Sequence, residues 1–180
     1  MSEDKDTNAL IKELRSSRPM DWEELPDIGL YMDQLLTYVN RQQPFTEEED
    51  QGLTKSMVNN YIKQEIIARP HGKRYTQEHV TSLTMLSMLK EVLPIQVCQT
   101  LFEMIGIRED TKAVYEHFQE TFNWCMNTTA DALADFSEES DEEKILRLAL
   151  FSYAARRAAI TLLERKDAER KEAGEESDEK

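Results

Sequence analysis

The placement of glycine and proline constrains the fold more than any other feature of this sequence. These ten residues cut the chain into pieces of helical length, and none of them lies in residues 107–173. Both residue types interrupt regular structure, so their spacing marks the segments in which helices can form. Apolar side chains recur at helical intervals in these segments, and strict apolar–polar alternation over strand lengths is nearly absent. The sequence therefore predicts an all-α protein.

Seven helices are predicted between the interruptions. Thr54, Thr76 and Pro94 stand at positions where a helix start favours a capping residue or a first-turn proline. The two longest helices come last and form a C-terminal hairpin or bundle. The predicted helices are 7–16, 27–41, 54–66, one that starts at Thr76, one that starts at Pro94, 111–136 and 141–171. Residues 1–24 form an N-terminal helix and loop, and residues 172–180 a charged, disordered tail.

A basic window interrupts an otherwise acidic chain. The net charge of the whole protein is -14, and residues 1–53 alone contribute -8. Residues 54–74 carry five cations and one acid, a net charge of +4. The global charge bears on solubility and long-range steering, whereas a local patch of opposite sign marks a site where an anionic partner can bind.

Residues 53–102 carry an informative order of motifs. A capped helix containing VNNYIK is followed by a glycine turn, HGKRYT, and then by a helix pair around LSMLKEVLPI. This order resembles the DNA-binding domain of MerR-type regulators, in which a recognition helix precedes a basic wing and supporting helices. The stretches LPDIGLYMDQLL, MVNNYIK and KRYTQEH also resemble the DUF1836 family of bacterial proteins. The resemblance covers about residues 25–105.

The resemblance implies a MerR-like winged helix-turn-helix over residues 25–106, with a short β wing at 68–75. It further implies binding of double-stranded DNA and dimerisation through a helical dimerisation or regulatory region, residues 107–171. Two features depart from the MerR pattern. The connection from Arg41 to Thr54 is long and acidic, and Asn59 stands where MerR proteins have an arginine.

The residue types in the basic window fit this role independently of the family. A recognition helix needs short polar or basic side chains on one face and apolar ones behind it. Asparagine amides read adenine edges, whereas lysine, arginine and serine contact phosphates. The predicted DNA-binding residues are Lys55, Ser56, Asn59, Asn60 and Lys63 on the helix, with Arg69, Lys73, Arg74 and Tyr75 on the wing. The alternative, a solvated basic helix face and a polar turn, stays open.

No pattern in the sequence indicates an enzyme, a metal site or a cofactor. The three histidines, His71, His79 and His117, lack the spacing of HExxH-type motifs, and no glycine-rich phosphate loop or GxSxG motif is present. Glu116, His117 and Glu120 are neighbours on a predicted helix, a pattern more typical of a solvated face than of a metal site. Cys98 and Cys125 lie in apolar helical contexts and are both predicted to be buried.

The C-terminal region carries more apolar surface than a helical hairpin buries. The apolar band of residues 145–163 covers more than one side of its helix, which predicts a homodimer. The four aromatic residues of this region are expected to form simple core, with an effector pocket as the alternative: Phe118, Phe122, Trp124 and Tyr153.

The acidic N-terminus and the absence of a long apolar run predict a cytoplasmic protein with no membrane partner.

Two functions are compatible with these predictions: a dimeric DNA-binding transcriptional regulator, or an acidic helical module that binds another protein. The sequence leaves open whether a small-molecule effector exists.

Overall fold

The computed structural model of the chain describes residues 3–42 and 52–178, and these residues confirm the all-α prediction. They contain seven α-helices and no strands: α1 (Glu3–Ser16), α2 (Met32–Arg41), α3 (Lys55–Lys63), α4 (Gln77–Leu89), α5 (Ile95–Met104), α6 (Thr111–Asp135) and α7 (Asp141–Asp178). A single 3-10 turn, Trp22–Glu24, precedes α2. The acidic connection predicted between Arg41 and Thr54 lies mostly in residues 43–51, outside the described residues.

Local capping explains where the central helices begin. The Thr54 side chain accepts a hydrogen bond from the Met57 backbone N–H at 3.3 Å, and Asp110 does the same for Ala113 at 3.0 Å. Each bond satisfies a backbone donor that the first turn of a helix leaves without a partner. Pro94 is the residue that immediately precedes α5. The starts predicted at Thr54, Thr76 and Pro94 are therefore correct to within one residue.

The predicted start of α2 and the predicted end of α3 are wrong, and both errors have long-range or conformational causes. Helix α2 begins at Met32 rather than Asp27, because Leu30 pairs its backbone with Tyr75 through two hydrogen bonds of 2.8 and 2.9 Å. Helix α3 ends at Lys63 rather than Ile66, because Glu65 adopts a left-handed conformation with φ of 59°. A residue in that conformation ends an α-helix.

The main hydrophobic core joins helices α2 to α6. Side chains at the predicted apolar positions form it, among them Leu35, Val58, Leu83 and Phe102. Tyr115 of α6 is fully buried in the same core, and its hydroxyl donates a 2.7 Å hydrogen bond to the Met20 carbonyl. The core therefore continues across the boundary predicted between residues 106 and 107.

A smaller core holds α1 against the second half of α6. Leu14 packs there with Ala130 and Leu133, and Arg15 forms a 2.6 Å ion pair with Asp131. The Arg15 side chain is about half exposed and that of Asp131 is more exposed, so the apolar contact contributes most of the stability of the α1–α6 packing. The N-terminal helix predicted from residue 7 therefore packs against the C-terminal region.

Helix α7 lies largely in solvent. Its contacts include Ile160, which packs on the main core, and Leu148, which packs on the smaller one. The helix continues to Asp178, into the segment 172–180 that the sequence predicts as a disordered tail. Because a helix without tertiary contacts is marginally stable in water, fraying of this segment stays a prediction that amide exchange tests.

The prediction that both cysteines are buried is half wrong. Cys98 is buried, but Cys125 on α6 is exposed. The apolar spacing on α6 identified the helix correctly, but α7 does not pack over the side of α6 that carries Cys125. None of the described helices has a stretch that is both long and apolar enough to cross a lipid bilayer.

Candidate nucleic-acid interface

Helix α3 presents the five predicted helix residues on one solvent-exposed face. Val58 and Tyr61 are buried in the core, and the five residues all point away from it: Lys55, Ser56, Asn59, Asn60 and Lys63. At about 100° per residue, their side chains fall within an arc of about 140°. We call this set the α3 face. It contains two amides, two ammonium groups and one hydroxyl, the groups that read base edges and contact phosphates.

The geometry of α3 also gives the two asparagines equivalent positions. Ser56 and Lys63 lie nearly opposite the buried side chains, and Asn59 and Asn60 lie about 50° to either side of them. A groove that receives the helix head-on therefore meets Ser56 and Lys63 first. Each asparagine then faces a different wall of the groove.

An asparagine clamp fixes the start of α3. The Asn40 side chain of α2 accepts a 2.8 Å hydrogen bond from the Leu53 N–H and donates one of 3.2 Å to the Leu53 carbonyl. Gly52 lies against the same amide with φ of 56°, and a Cβ at this position would meet Asn40 Oδ1 at 2.9 Å. The clamp thus holds both ends of the α2–α3 connection together, whatever the path of residues 43–51.

The end of α3 is a Schellman motif with an acidic residue in the glycine position. The Ile66 N–H donates to the Tyr61 carbonyl at 2.9 Å, and the Glu65 N–H donates to the Ile62 carbonyl at 3.1 Å. Arg108, in the α5–α6 loop, donates a hydrogen bond to the Glu65 carbonyl. The exposed Glu65 follows Lys63 by two residues, and its carboxylate lowers the local positive potential at this end of the α3 face.

The predicted β wing is a tight two-residue turn in the structure. His71 and Arg74 pair across it, with the Arg74 N–H 2.9 Å from the His71 carbonyl. Gly72 and Lys73 between them have φ of 53° and 68°, the positive values typical of a type I′ hairpin turn. Lys73 therefore occupies a strained position at an exposed turn tip. No strand extends from this turn in the described residues, so the wing is shorter than the sequence predicts.

Two of the predicted wing residues have structural roles. Tyr75 is only 5% exposed and packs edge-on against His79, so in this conformation little of its side chain is available for the predicted DNA contact. The Arg74 guanidinium lies 3.9 Å from the centre of the Tyr31 ring and donates a 2.9 Å hydrogen bond to the Gly29 carbonyl. Arg74 is exposed, but these contacts anchor the turn to the loop before α2.

Arg69 lies in a different environment from the turn. It is exposed and lines a cavity of about 380 Å³ between the end of α3, the start of α4 and the α5–α6 loop. Arg108 lines the same cavity, together with the carboxylate-bearing residues Glu65 and Glu78. The charges at this end of the α3 face are therefore mixed rather than uniformly basic.

A buried histidine shapes the start of α4 behind the turn. His79 Nδ1 accepts a 3.0 Å hydrogen bond from the Thr76 backbone N–H, which caps the helix. Burial lowers the pKa of His79, and nearby Glu78 opposes this effect in part. The imidazole is therefore held neutral, in the form whose Nδ1 can accept the capping hydrogen bond.

Four residues that position the interface were not predicted from the sequence. Asn40 and Gly52 hold the start of α3, and Arg108 holds its end. The Tyr31 ring packs against the Arg74 guanidinium. The glycine before Leu53 was a visible signal for a special backbone conformation. The other three act through contacts with residues 13 to 43 positions away, which periodicity does not report.

The family comparison agrees with the extent of this helical unit. Residues 20–122 match the family described as a domain of unknown function, DUF1836. The chain belongs to the DUF1836 family. The match runs from the loop after α1 to the middle of α6, so it includes the α3 face, the turn and the main core. No curated protein and no solved structure matches the chain. In the described residues, no three His, Cys, Asp or Glu side chains are placed to hold a metal ion.

Proposed function

We propose that this DUF1836 protein is a cytoplasmic, non-enzymatic DNA-binding transcriptional regulator that acts as a homodimer. In this proposal α3 is a MerR-like recognition helix, and the turn at residues 71–74 is its short basic wing. The proposal rests on one observation above all. The α3 face brings five DNA-compatible side chains to one exposed surface in a chain whose net charge is -14.

The contacts around α3 support this role because they hold the exposed face in a defined position. The Asn40 clamp fixes one end of the helix and the Schellman motif with Arg108 fixes the other. A recognition helix that is positioned before it meets DNA loses less conformational entropy on binding. Lys73 contributes a further cation at the tip of a turn whose strained conformation is maintained in the folded protein.

The apolar surface of α7 supports a homodimer. Six large apolar side chains of α7 are between 58% and 69% exposed: Ile145, Leu146, Leu150, Phe151, Tyr153 and Leu162. At about 100° per residue, Ile145, Leu146, Leu150 and Tyr153 fall within an arc of about 140°, whereas Phe151 and Leu162 lie on another side of the helix. At about 100 Å² of exposed surface each, the four present about 400 Å² per chain, about half of the roughly 800 Å² that each partner buries in a standard interface. A second copy of the chain places the same surface opposite itself, as two-fold symmetry requires.

The DNA proposal is tested by titrating the purified protein against labelled duplexes selected from genomic fragments and against random duplexes. Lys63→Ala and Lys73→Asn should weaken binding to both sets by a similar factor, since both lysines are assigned to phosphates. Asparagine tolerates positive φ, so Lys73→Asn removes the charge without straining the turn. Asn59→Ala and Asn60→Ala should each cost about 1–3 kcal/mol on selected duplexes and much less on random ones.

Lys12→Ala is the matched control, because Lys12 is an exposed lysine on α1, which packs against α6. It removes one positive charge and should leave DNA affinity nearly unchanged. Equal affinities for the wild type and all four α3 and turn variants would reject the DNA-binding proposal. Light scattering on the same samples tests the dimer, since a 21 kDa species at micromolar concentration would contradict it.

The second function, a protein-interaction module, is favoured by α7 alone. An exposed apolar helix of this length equally suits a different protein as its partner. Substitutions on the α3 face and on α7 distinguish the two proposals. A regulator loses DNA binding through the α3 variants, whereas an interaction module loses its partner through Phe151→Ser or Leu150→Ser and is insensitive to changes on the α3 face.

A further inference from the structure

The four aromatic residues of the C-terminal region do not pack together. Phe118 and Phe122, predicted as simple core, are half-buried and line an apolar groove between α4, α5 and α6, with ring centres 6.2 Å apart. Trp124 is 67% exposed and Tyr153 is 65% exposed, and neither lines that groove. These residues therefore form neither one core nor one effector pocket.

A different cavity, at the end of α3, is bordered by charges of both signs. It is the cavity of about 380 Å³ that lies between the end of α3, the start of α4 and the α5–α6 loop. Five of its lining residues are exposed, and all of these except Ala68 are charged. We call the four charged residues the charged rim: Glu65, Arg69, Glu78 and Arg108. The charged rim has no net charge, but it offers both signs of charge to a ligand.

The guanidinium of Arg108 is held at the edge of this cavity. It donates a hydrogen bond to the carbonyl of Glu65, another residue of the lining. A guanidinium has five N–H donors, and Arg108 makes no other hydrogen bond and no ion pair with the described residues. Because the backbone of Glu65 already positions this side chain, its remaining donors can pair with a carboxylate at a reduced entropic cost.

The other three side chains of the charged rim are also available. Within residues 3–42 and 52–178, the side chains of Glu65, Arg69 and Glu78 make no hydrogen bond and no ion pair. Glu78 lies near enough to His79, a buried residue of the lining, to oppose the lowering of the His79 pKa by burial. Exposed charges of opposite sign gain little by pairing with each other, so both signs remain available to a ligand.

We propose that this cavity binds a small zwitterion of amino-acid size, with its carboxylate on the two arginines of the charged rim and its ammonium on the two glutamates. A purely anionic ligand would be attracted by the arginines and repelled by the glutamates, and a cation would meet the reverse. A molecule with both charges is attracted by all four groups. The volume lies near the lower end of the range for small-molecule pockets, which suits an amino acid. The cavity can hold this ligand whether or not α3 binds DNA.

The uncharged part of the lining suits an aliphatic side chain on the ligand. Ala68 is exposed and Ile62 is half-buried, so both present apolar surface to the cavity. The Thr111 hydroxyl, which also belongs to the lining, already donates a 2.7 Å hydrogen bond to the Ile107 carbonyl. L-Leucine is therefore the probe, because it combines both charges with an aliphatic side chain.

The experiment compares L-leucine with two derivatives that each lack one of its charges. L-Leucinamide keeps the ammonium without the carboxylate, and N-acetyl-L-leucine keeps the carboxylate without the ammonium. Isothermal titration calorimetry on the full chain at pH 7 should show the tightest binding for L-leucine. Each derivative should bind about tenfold more weakly, because it loses charge-assisted hydrogen bonds at one end and is repelled by the unpaired groups of the rim.

Two substitutions assign the ends of the ligand. Arg69→Gln should weaken the binding of L-leucine about fivefold and should not weaken that of L-leucinamide, which has no carboxylate. Glu78→Gln should weaken L-leucine by a similar factor and should not weaken N-acetyl-L-leucine, which has no ammonium. Lys12→Gln is the control, because it removes one charge from α1 and should leave all three affinities unchanged. Circular dichroism verifies that each variant is folded.

The proposal is overturned if L-leucine does not bind at millimolar concentration. Tighter binding of N-acetyl-L-leucine or of inorganic phosphate than of L-leucine would also overturn it, by showing that the cavity is a simple anion site. If Arg69→Gln and Glu78→Gln affect L-leucine no more than Lys12→Gln does, the ligand binds elsewhere on the protein and the assigned site is wrong.

Discussion

Gly52→Ala is the substitution for which the structure gives the most complete expectation. Gly52 has φ of 56°, and a Cβ there would stand 2.9 Å from Asn40 Oδ1 and 3.0 Å from Asn40 Cγ. The backbone conformation alone costs an alanine about 1–2 kcal/mol, offset by up to about 1 kcal/mol because alanine restricts the unfolded chain. Displacing Asn40 also weakens two hydrogen bonds to Leu53, each contributing about 1 kcal/mol. The sum is a loss of about 3 kcal/mol.

Gly72→Ala is the matched comparison, because it has nearly the same backbone conformation without the steric contact. Gly72 has φ of 53°, and a Cβ there would meet no atom within 4 Å. Its loss should therefore be about 1 kcal/mol, from the backbone alone. Urea unfolding monitored by circular dichroism measures both values, and in a protein of this size the difference corresponds to roughly 4–8 °C in Tm.

A double substitution tests the assigned cause. If the clash with Asn40 is responsible, Asn40→Ala removes the obstructing amide, and Gly52→Ala should cost less in that background than in the wild type. Strictly additive losses in the double variant would refute the clamp, as would equal losses for Gly52→Ala and Gly72→Ala. The clamp also positions α3, so Gly52→Ala should weaken DNA binding beyond the effect of Gly72→Ala at temperatures where both are folded.

Three further substitutions test other parts of the fold. Glu65→Gly should raise the free energy of unfolding by about 0.5–1 kcal/mol in the same urea assay, because glycine adopts the left-handed conformation without strain. Tyr115→Phe should lower it by about 1–2 kcal/mol, because it removes the buried hydrogen bond to the Met20 carbonyl. Burial lowers the pKa of His79, so the unfolded chain binds a proton at this residue more readily than the folded chain does. The free energy of unfolding should therefore fall as the pH drops through the ordinary histidine pKa near 6.5. The variant His79→Gln should lack this part of the pH dependence.

The helices could be predicted because their signals are local. Helix α6 was expected at 111–136 and occupies Thr111–Asp135, with the Asp110 cap at its start. Glycine and proline positions, capping residues and apolar spacing all act within a few residues of the helix ends. The α3 face was predictable for the same reason. The helical period of 3.6 residues places Val58 and Tyr61 on one side of α3 and the polar side chains on the other.

The parts that failed depend on contacts between distant segments. Tyr75 is removed from the predicted site by backbone pairing with Leu30, and Arg74 is held by Gly29, which is 45 residues away. Cys125 is exposed because α7 does not cover its side of α6, and the residue pattern within α6 carries no information on the position of α7. Side-chain type and spacing thus indicate which residues suit an interface, whereas tertiary packing decides which of them remain available to it.

The charge distribution limits how strongly salt can act on the proposed DNA complex. Four exposed cations remain available after Arg74 is assigned to Tyr31: Lys55, Lys63, Arg69 and Lys73. At about -0.9 per phosphate neutralised, a plot of log affinity against log salt should have a slope no steeper than about -3.6 per chain. The acidic remainder of the protein repels DNA over longer distances, and salt screens this repulsion beyond about 8 Å at 0.15 M. The observed slope should therefore be shallower than -3.6 per chain, and Lys63→Ala should reduce its magnitude by about 0.9. A steeper slope would mean that DNA contacts cations other than these four, and the proposed interface would be wrong.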